Sequence, residues 1–292
     1  MNTNFNKGIL LTSLGSFWWG FIGVIYFEYV AFIGHVELVV HRCLWTAVML
    51  FLTTSFFSKW KVFLNIINNY KILVALFFSG LLIFVNWAIW IYAVATDRII
   101  DASFGYFIMP IISVLLGKIF FKEKLNNKRI LSIILVLISI LILLLFNLKS
   151  LPWVGLVVAI SWAFYNLIRK KIDVDTDVGL LIESLYILPF ALIVFYFIIE
   201  KGLNDFSLMS PSLSLFLILA GPMTVIPLFL YVRGVELIGL GPTGMIFYIT
   251  PTLQFILGYF YYNEGFSFIK FLSFIIIWIA VIIYLKDLYE TN

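Results

Sequence analysis

Long and nearly unbroken apolar runs dominate this chain, separated by short polar breaks. The runs fall at 8–30, 37–57, 72–95, 102–121, 128–147, 152–168, 179–199, 213–233, 241–261 and 268–286. A membrane-spanning helix needs about 20 largely apolar residues, which is roughly the length of each run. The runs do not alternate with period two, which disfavours a lipid-facing β-barrel. The pattern therefore predicts an all-α integral membrane protein with ten transmembrane helices.

The breaks between runs leave no room for a separate soluble domain or an ATP-hydrolysing module. A typical break is the segment 122–128, Lys-Glu-Lys-Leu-Asn-Asn-Lys. The first run begins near Gly8 and no small-residue cleavage pattern follows it, so we interpret it as a first span and not as a removed signal peptide.

Composition supports a membrane protein. Of the 292 residues, 63% are hydrophobic and 12% are charged, whereas soluble domains have about 45–50% apolar and about 25% charged residues. A soluble fold must keep its outer faces wet, so it could not hide this much apolar surface. The lipid bilayer is therefore the expected partner.

The basic residues are distributed unevenly between the two ends of the predicted spans. If the N-terminal side is called side one, ten spans place 14 Lys and Arg residues on side one and 4 on side two, with Arg42 near the start of the second span left uncounted. By the positive-inside rule, side one is cytoplasmic and both termini lie inside, in a multi-pass protein of the plasma (inner) membrane. Topology thus accounts for the basic charge, and no nucleic-acid partner is expected.

The chain carries an internal repeat. Proline, glycine and glutamate recur at the same spacing in the fourth and ninth spans, as Pro110, Gly117, Glu123 and as Pro251, Gly258, Glu264. Trp19-Gly20-Phe21 is echoed by Trp162-Ala163-Phe164, and the two offsets, 141 and 143, are about half the chain. Each half, 1–147 and 148–292, holds five predicted spans. An odd number inverts the second copy, and inverted repeats are typical of secondary transporters.

Several motifs, spread over nearly the whole chain, also resemble a known family. They are Glu37-Leu38-Val39-Val40-His41-Arg42, Asn86-Trp87, the segment 102–110 ending in Met109-Pro110, Leu151-Pro152-Trp153, the segment 167–171, Glu183 with Pro189, and the segments 224–228 and 247–255. On these motifs the chain resembles the RarD branch of the EamA-like permeases, in the drug/metabolite transporter (DMT) superfamily.

The resemblance implies a ten-helix, inverted-repeat fold with a central cavity and both termini inside. Members of this family are described as drug or metabolite permeases. Met109 departs from the family pattern, in which asparagine precedes the proline, and this difference bears on substrate identity.

Two prolines lie in the interiors of their predicted spans. Pro110 and Pro251 each remove an amide and loosen the carbonyl four residues earlier, at Tyr106 and Phe247. Such carbonyls are tolerated at membrane depth when they meet protein or line a wet cavity. The two prolines are therefore candidate hinges, and simple packing kinks are the alternative.

Buried ionisable groups are the candidates for coupling or gating, because each costs about 2.5–3.5 kcal/mol at a helix centre. Glu37 and His41 share a helical face, with Arg42 beside them. They form either a proton-coupling site or an ion network that anchors the helix end, and their place near a span end favours the network. Glu183, near the basic segment 169–171, either binds a proton or cation or simply stabilises that segment; the second is favoured.

Neutral polar and aromatic side chains are the candidates for substrate contact. They are Trp19, Asn86, Trp87, Tyr106, Trp162, Tyr165, Tyr248 and Gln254. Aromatic faces around a cavity can stack on a flat metabolite or attract a quaternary cation. Tryptophans in membrane proteins more often form an interfacial belt, but three of these lie deeper than a belt requires.

No catalytic, metal or cofactor motif was found in the sequence. There is no phosphate loop, and two histidines with one cysteine give no metal-ligand spacing. An intramembrane enzyme would have to use Glu37 and His41, and a channel would show flux without saturation.

The sequence therefore predicts a permease that is not an enzyme and moves a small organic drug or metabolite by alternating access. Proton-coupled export is the leading mechanism. A facilitator or importer of a quaternary amine or an amino acid is the alternative, and nothing in the sequence indicates an oligomeric state.

Overall fold

The structure, a computed structural model, describes residues 3–30, 32–95, 99–147, 153–206, 211–261 and 267–291. Within these ranges the chain forms helices and turns and contains no strand. Arg98 and Lys149, two of the four basic residues assigned to side two, and Glu264 of the repeat lie outside the described residues.

Thirteen α-helices and one π-helical segment follow one another in the described ranges. They are α1 (Thr3–Phe17), the π-helix Trp18–Ile22, α2 (Gly23–Tyr29), α3 (His35–Phe56), α4 (Trp60–Ile67), α5 (Tyr70–Ala95), α6 (Ile99–Phe121), α7 (Asn127–Asn147), α8 (Trp153–Lys171), α9 (Thr176–Glu200), α10 (Pro211–Ile238), α11 (Leu240–Ile246), α12 (Ile249–Phe260) and α13 (Phe268–Thr291).

The ten apolar runs all fall on helices, and seven helices of the described chain are long and apolar enough to cross a membrane. The first of these is the continuous helix Thr3–Tyr29, built from α1, the π-helix and α2. The fourth, sixth and ninth runs are absent from the seven. The fourth contributes a shorter apolar helix, Gly105–Phe121, α8 ends in three basic residues, and the ninth is divided into α11 and α12. The protein is a multi-pass helical membrane protein.

Helix packing has a regular pattern. In the order of the predicted spans, α3, α5, α6 and α7 of the first half correspond to α9, α10, the pair α11–α12 and α13 of the second. Corresponding helices pack against each other, as α3 on α9, α6 on α11 and α7 on α13. Two further pairs of contacts exchange with one another: α1 packs on α10 as α5 packs on α8, and α3 packs on α10 as α5 packs on α9.

The first span is not a regular α-helix. A π-helical turn occupies Trp18–Ile22, and Gly20 within it lies so close to α12 that a Cβ there would be 2.9 Å from the Thr250 carbonyl oxygen. The Thr250 hydroxyl donates to the Ser16 carbonyl at 2.9 Å. This contact holds the π-helical turn, a feature often found at functional sites, against the second half.

The two predicted hinge prolines lie in different local structures. Pro110 is inside the continuous helix α6, whereas Pro251 is in the first turn of α12, just after the break between α11 and α12. The prediction that Pro251 leaves the Phe247 carbonyl free is wrong, because that oxygen accepts the Thr250 amide at 2.9 Å. A proline early in a helix is well tolerated, since amides there have no intrahelical partner.

Candidate functional site

Six aromatic rings from both halves pack together in the middle of the bundle. Trp19 meets Trp162 edge-to-face with ring centroids 5.1 Å apart, and Tyr231 lies 5.5–5.7 Å from both. Phe247 contacts Tyr231 at 5.5 Å and Tyr106 at 5.7 Å. Trp90 completes the group, 5.4 Å from Tyr106. We call these six residues the aromatic cluster.

The aromatic cluster consists of three pairs of residues at the repeat offsets. The pairs are Trp19 with Trp162, Trp90 with Tyr231, and Tyr106 with Phe247. Sequence reasoning missed Trp90, Tyr231 and the ring of Phe247 as candidates. The 141-residue offset relates Pro110 to Pro251. Applied to Tyr106 and Trp90, the same offset gives Phe247 and Tyr231 as their counterparts.

A small cavity lies beside the aromatic cluster, between α3, α5, α9 and α10. Its walls include Thr46, Ile83, Trp87, Glu183 and Val225. Two predicted residues, Trp87 and Glu183, thus line one cavity. The hydroxyl of Thr46 is buried there without a hydrogen-bond partner among the described residues.

Glu183 is the acid of a buried hydrogen-bond network that joins α5, α8 and α9. It accepts the Ser79 hydroxyl at 2.5 Å and the Tyr165 hydroxyl at 3.3 Å, and Arg169 lies 3.5 Å away. Arg169 also donates to the Thr176 carbonyl at 3.0 Å. Tyr165 therefore contacts Glu183, and Arg169 is a buried ion-pair partner at the end of α8.

Arg42 does not join Glu37, although the two are close in sequence. Its Nε donates to the Thr224 hydroxyl of α10 at 2.9 Å. The guanidinium carbon lies 4.6 Å from the ring centroid of Trp87 and 5.4 Å from that of Phe27. Arg42 thus lies against the cavity residue Trp87, whereas Glu37 serves a different contact.

Glu37 and His41 form the hydrogen bond that their spacing predicted, at the N-terminal end of α3. Trp45 donates to His41 Nδ1 at 3.1 Å, so His41 Nε2 carries the proton and faces Glu37 Oε1 at 3.4 Å. The Glu37 carboxylate also accepts the amides of Asp205 and Phe206 at 2.8–3.1 Å. The pair therefore fastens the segment after α9 to α3.

Three further substrate candidates, Asn86, Tyr248 and Gln254, do not line the cavity. Asn86 donates to the Val158 carbonyl at 2.9 Å and to the Ser161 hydroxyl at 3.1 Å, which ties α5 to α8. Tyr248 donates to the Phe107 carbonyl at 2.7 Å and packs in a second core with α13. Gln254 is half-buried on α12.

The C-terminal ends of α3, α6 and α8 lie at one face of the bundle, here called the basic face. Polar contacts join the two halves at this face. Lys59 reaches Asp175 at 3.0 Å and Asp177 at 2.7 Å. Partial burial lowers the pKa of Lys59, but the hydrogen bonds to both aspartates outweigh it and the pKa is raised. Glu123 accepts the amides of Leu240 and Gly241 at 2.8 and 2.9 Å, which ties the end of α6 to the start of α11.

Burial raises the pKa of the Glu123 carboxyl, although the two amides act in the opposite direction. Arg129 and Asp287 add a further contact between the halves at 2.8 Å. Among the described residues, no three His, Cys, Asp or Glu side chains come together in a way that could hold a metal ion.

A bundle of long apolar helices around an aromatic cluster and a small, mainly apolar cavity with a few polar groups is the architecture expected of a membrane transport protein. The sequence profile of the EamA-like transporter family matches this chain twice, at residues 6–145 and 150–286. The chain belongs to the EamA-like transporter family.

Curated relatives agree over almost the full length. Protein RarD of Salmonella typhi is 33% identical over 286 residues, covering 98% of this chain and 97% of the relative. The uncharacterized transporter YojE of Bacillus subtilis is 31% identical, covering 95% and 93%. The chloramphenicol-sensitive protein RarD of Pseudomonas aeruginosa is 24% identical, covering 85% and 83%. The family, and relatives such as YojE, carry names that describe transporters and not enzymes.

A solved crystal structure shares the fold. It superposes with a TM-score of 0.71 at 14% identity, over 95% of this chain and 96% of that chain. At this level of identity the comparison concerns the fold alone.

Proposed function

We propose that this protein is a secondary transporter with ten spans, in which two inverted five-helix halves, 1–147 and 148–292, move a small organic drug or metabolite by alternating access. Both termini lie in the cytoplasm and the basic face is the inner face, as the distribution of Lys and Arg requires. Proton-coupled export across the plasma membrane is the proposed mode.

Two observations support the two-half arrangement. The family profile matches each half separately, and the helix contacts exchange when each helix is replaced by its counterpart in the other half. Rings at equivalent positions also touch, as Trp19 with Trp162 and Tyr106 with Phe247. Equivalent residues meet in this way when they lie near a two-fold axis.

The observation that carries the transport proposal is the position of the cavity. Its walls come from α3 and α5 of one half and from α9 and α10 of the other. A site between two halves can open first to one side and then to the other when the halves rock against each other. Trp87 offers a flat apolar wall and Glu183 a titratable one.

Proton coupling is assigned to Glu183 and not to Glu37. The Ser79 hydroxyl has one proton but approaches two acceptors, Glu183 at 2.5 Å and the Leu76 carbonyl at 3.1 Å. When Glu183 is ionised, Ser79 donates to it. When Glu183 is protonated, it can donate to Ser79, which then donates to Leu76. Both protonation states thus have a complete set of hydrogen bonds.

The test is saturable transport by the purified protein in proteoliposomes. We expect Trp19→Ala, Trp87→Ala and Trp162→Ala to raise the apparent KM by about 2- to 12-fold, since a stacked ring contributes about 0.5–1.5 kcal/mol beyond its area. Trp60→Ala is the matched control, because Trp60 lies on α4 and donates to Ser55 away from the cavity. Unchanged KM in the cavity variant Trp87→Ala and in both aromatic-cluster variants, Trp19→Ala and Trp162→Ala, would contradict the proposal.

A further inference from the structure

Arg42 differs from the other arginines that the structure describes. Arg129, Arg169 and Arg233 each have a carboxylate within 2.6–3.5 Å. Within the described residues, no carboxylate lies within 4.0 Å of the Arg42 nitrogens. Its neighbours are a hydroxyl and two aromatic faces.

The nearest acid on the same helix is already in use. Glu37 is occupied by His41 and by the amides of Asp205 and Phe206. Arg42 is only 7% exposed and lies seven residues into α3, about 10 Å along the helix axis from its start. A cation at this depth is costly in an apolar membrane unless it meets an anion or water.

Most N–H groups of the Arg42 guanidinium have no hydrogen-bond acceptor among the described residues. Arginine has five N–H groups, and among the described residues only Nε of Arg42 is bonded, to Thr224 Oγ1. The hydroxyl of Thr46, one helical turn further along α3, is buried without a described partner and lines the cavity. Two unmet polar groups thus follow each other along one face of α3, beside Trp87.

We propose that Arg42 binds the carboxylate of the transported molecule, and that the substrate class is a small monocarboxylate with an apolar or aromatic body. This inference rests on the proposed transport function and names its substrate. The planar fork of arginine matches a carboxylate through two parallel hydrogen bonds. A single cation matches a single negative charge, and the apolar walls of the adjacent cavity, which include Ile83 and Val225, provide surface for the body. The faces of Trp87 and Phe27 lie against Arg42. The same ring faces already hold Arg42, which opposes cation–π binding of a quaternary amine there.

The first test uses three probes that share one body and differ only in head group. They are 3-phenylpropionate, its neutral amide 3-phenylpropionamide, and the cationic 3-phenylpropylamine. A ligand that binds the folded protein raises Tm in a saturable way. With the detergent-purified full chain, we expect the carboxylate to stabilise and the amide and amine to have no effect. Equal or greater stabilisation by the amide or the amine would overturn the inference.

A second arm replaces the carboxylate with 2-phenylethylphosphonate. At a pH above the second ionisation of the phosphonate, where it is a dianion, we expect weaker stabilisation, because one charge is left unmatched beside a single arginine. Stronger stabilisation by the phosphonate would overturn the assignment of a monocarboxylate.

Variants locate the site. Arg42→Gln should weaken the apparent Kd for 3-phenylpropionate about 10- to 100-fold, the loss of one or more charge-assisted hydrogen bonds. Arg42→Lys keeps the charge and should bind more weakly than the wild type but more tightly than Arg42→Gln. Arg129→Gln is the control, since it removes an arginine paired with Asp287 on the basic face and should leave the Kd unchanged. Equal Kd values for the wild type and Arg42→Gln would overturn the inference, and the wild-type comparison of probes stands even if that variant fails to fold.

Flux in proteoliposomes separates this inference from the function on which it rests. Saturable uptake of 3-phenylpropionate that depends on Arg42 would support both. Arg42-dependent binding of the carboxylate without any flux would support the anion site and overturn the transport proposal. Flux of the neutral or cationic probe alone, unaffected by Arg42→Gln, would overturn the anion site and leave a transporter.

Discussion

At the scale of single residues, the two acids of α3 and α9 have different surroundings and therefore different expected roles. Glu37 contacts His41 and accepts two backbone amides of the segment after α9, so its carboxylate is committed to holding that segment against α3. Glu183 contacts the titratable Tyr165, the hydroxyl of Ser79 and the cation Arg169. A proton that moves during transport needs surroundings that tolerate both charge states, and the network of Glu183 provides them.

Arg42 and Glu183 are also related through the repeat. They lie 141 residues apart, the offset that relates Pro110 to Pro251, and each belongs to the second helix of its half. Arg42 contacts the cavity residue Trp87, and Glu183 itself lines the cavity. In the two proposals, the first half therefore supplies the anion site and the second half the proton site.

The proton-coupling role of Glu183 predicts a selective defect in Glu183→Gln. Glutamine keeps the shape of the side chain but cannot take up a proton near neutral pH. In proteoliposomes with a pH gradient, we expect accumulation above equilibrium to be lost while exchange of substrate across the membrane continues.

The controls for this prediction use the ion pair and the other acid. Removing Glu183 leaves Arg169 buried without its acid, a change that costs about 3–5 kcal/mol for buried pairs, so the double variant Glu183→Gln with Arg169→Gln restores charge balance. Glu37→Gln should keep gradient-driven accumulation. Undiminished accumulation in the double variant would exclude Glu183 as the coupling residue.

At the scale of helices, two close helix crossings depend on glycines that lie inside helices and not in turns or caps. A Cβ at Gly221 on α10 would lie 2.5 Å from the Trp45 carbonyl oxygen of α3. This backbone carbonyl cannot move aside as the end of a flexible side chain can. Gly80 on α5 has the corresponding position in the first half and lies against Glu183 of α9, where a Cβ would be 3.3 Å from the carbonyl oxygen. The crossing of α3 and α10 is thus the tighter of the two.

We expect Gly221→Ala to destabilise the protein by about 1–3 kcal/mol, the cost of overpacking a close contact. A thermal unfolding experiment in detergent would show this as a lower Tm. Gly34→Ala is the matched control, because Gly34 precedes α3 with a negative φ of −52°, and a Cβ added there would meet no described atom within 4 Å. An equal Tm for both variants would mean that α3 and α10 can separate without cost.

Hydropathy predicted the helices well because each apolar run is long enough to reveal a span on its own. Local backbone departures were not predictable in the same way. The segment Trp18–Ile22 is apolar like its flanks and carries no sequence signal for a π-helix. The π-helical turn lies against α12. Pro110 and Pro251 share a sequence pattern, yet only the second follows a helix break. Tertiary packing decides between these outcomes.

The candidate site was predicted in part for the same reason. Trp19, Trp87 and Trp162 were identified because tryptophans deep in a span are unusual. Asn86 was expected to face the substrate for similar reasons, but its amide is used between α5 and α8. Which face a polar side chain takes depends on neighbouring helices, and a single sequence does not give that arrangement.

At the scale of the whole molecule, both ends of the proposed pathway are closed by contacts between the halves. On the basic face, Lys59 binds Asp177 at 2.7 Å. On the opposite face, Tyr26 of α2 donates to the Phe216 carbonyl of α10 at 2.9 Å, and the ring of Tyr29 lies 4.5 Å from that of Phe216. Contacts between the halves thus bridge both faces, and the proposed alternating access requires each set of contacts to break in turn.

This requirement predicts that fixing either face stops transport. The sequence contains one cysteine, Cys43, which is buried, so engineered pairs can be cross-linked selectively. A short thiol-reactive cross-linker applied to Lys59→Cys with Asp177→Cys, or to Tyr29→Cys with Phe216→Cys, should abolish net transport, and reduction of a cleavable cross-link should restore it. The single-cysteine variants, treated identically, should remain active. A rocking transporter must open both faces in each cycle, whereas a channel with a fixed path would keep conducting with one contact held, so full flux in both cross-linked proteins would contradict alternating access.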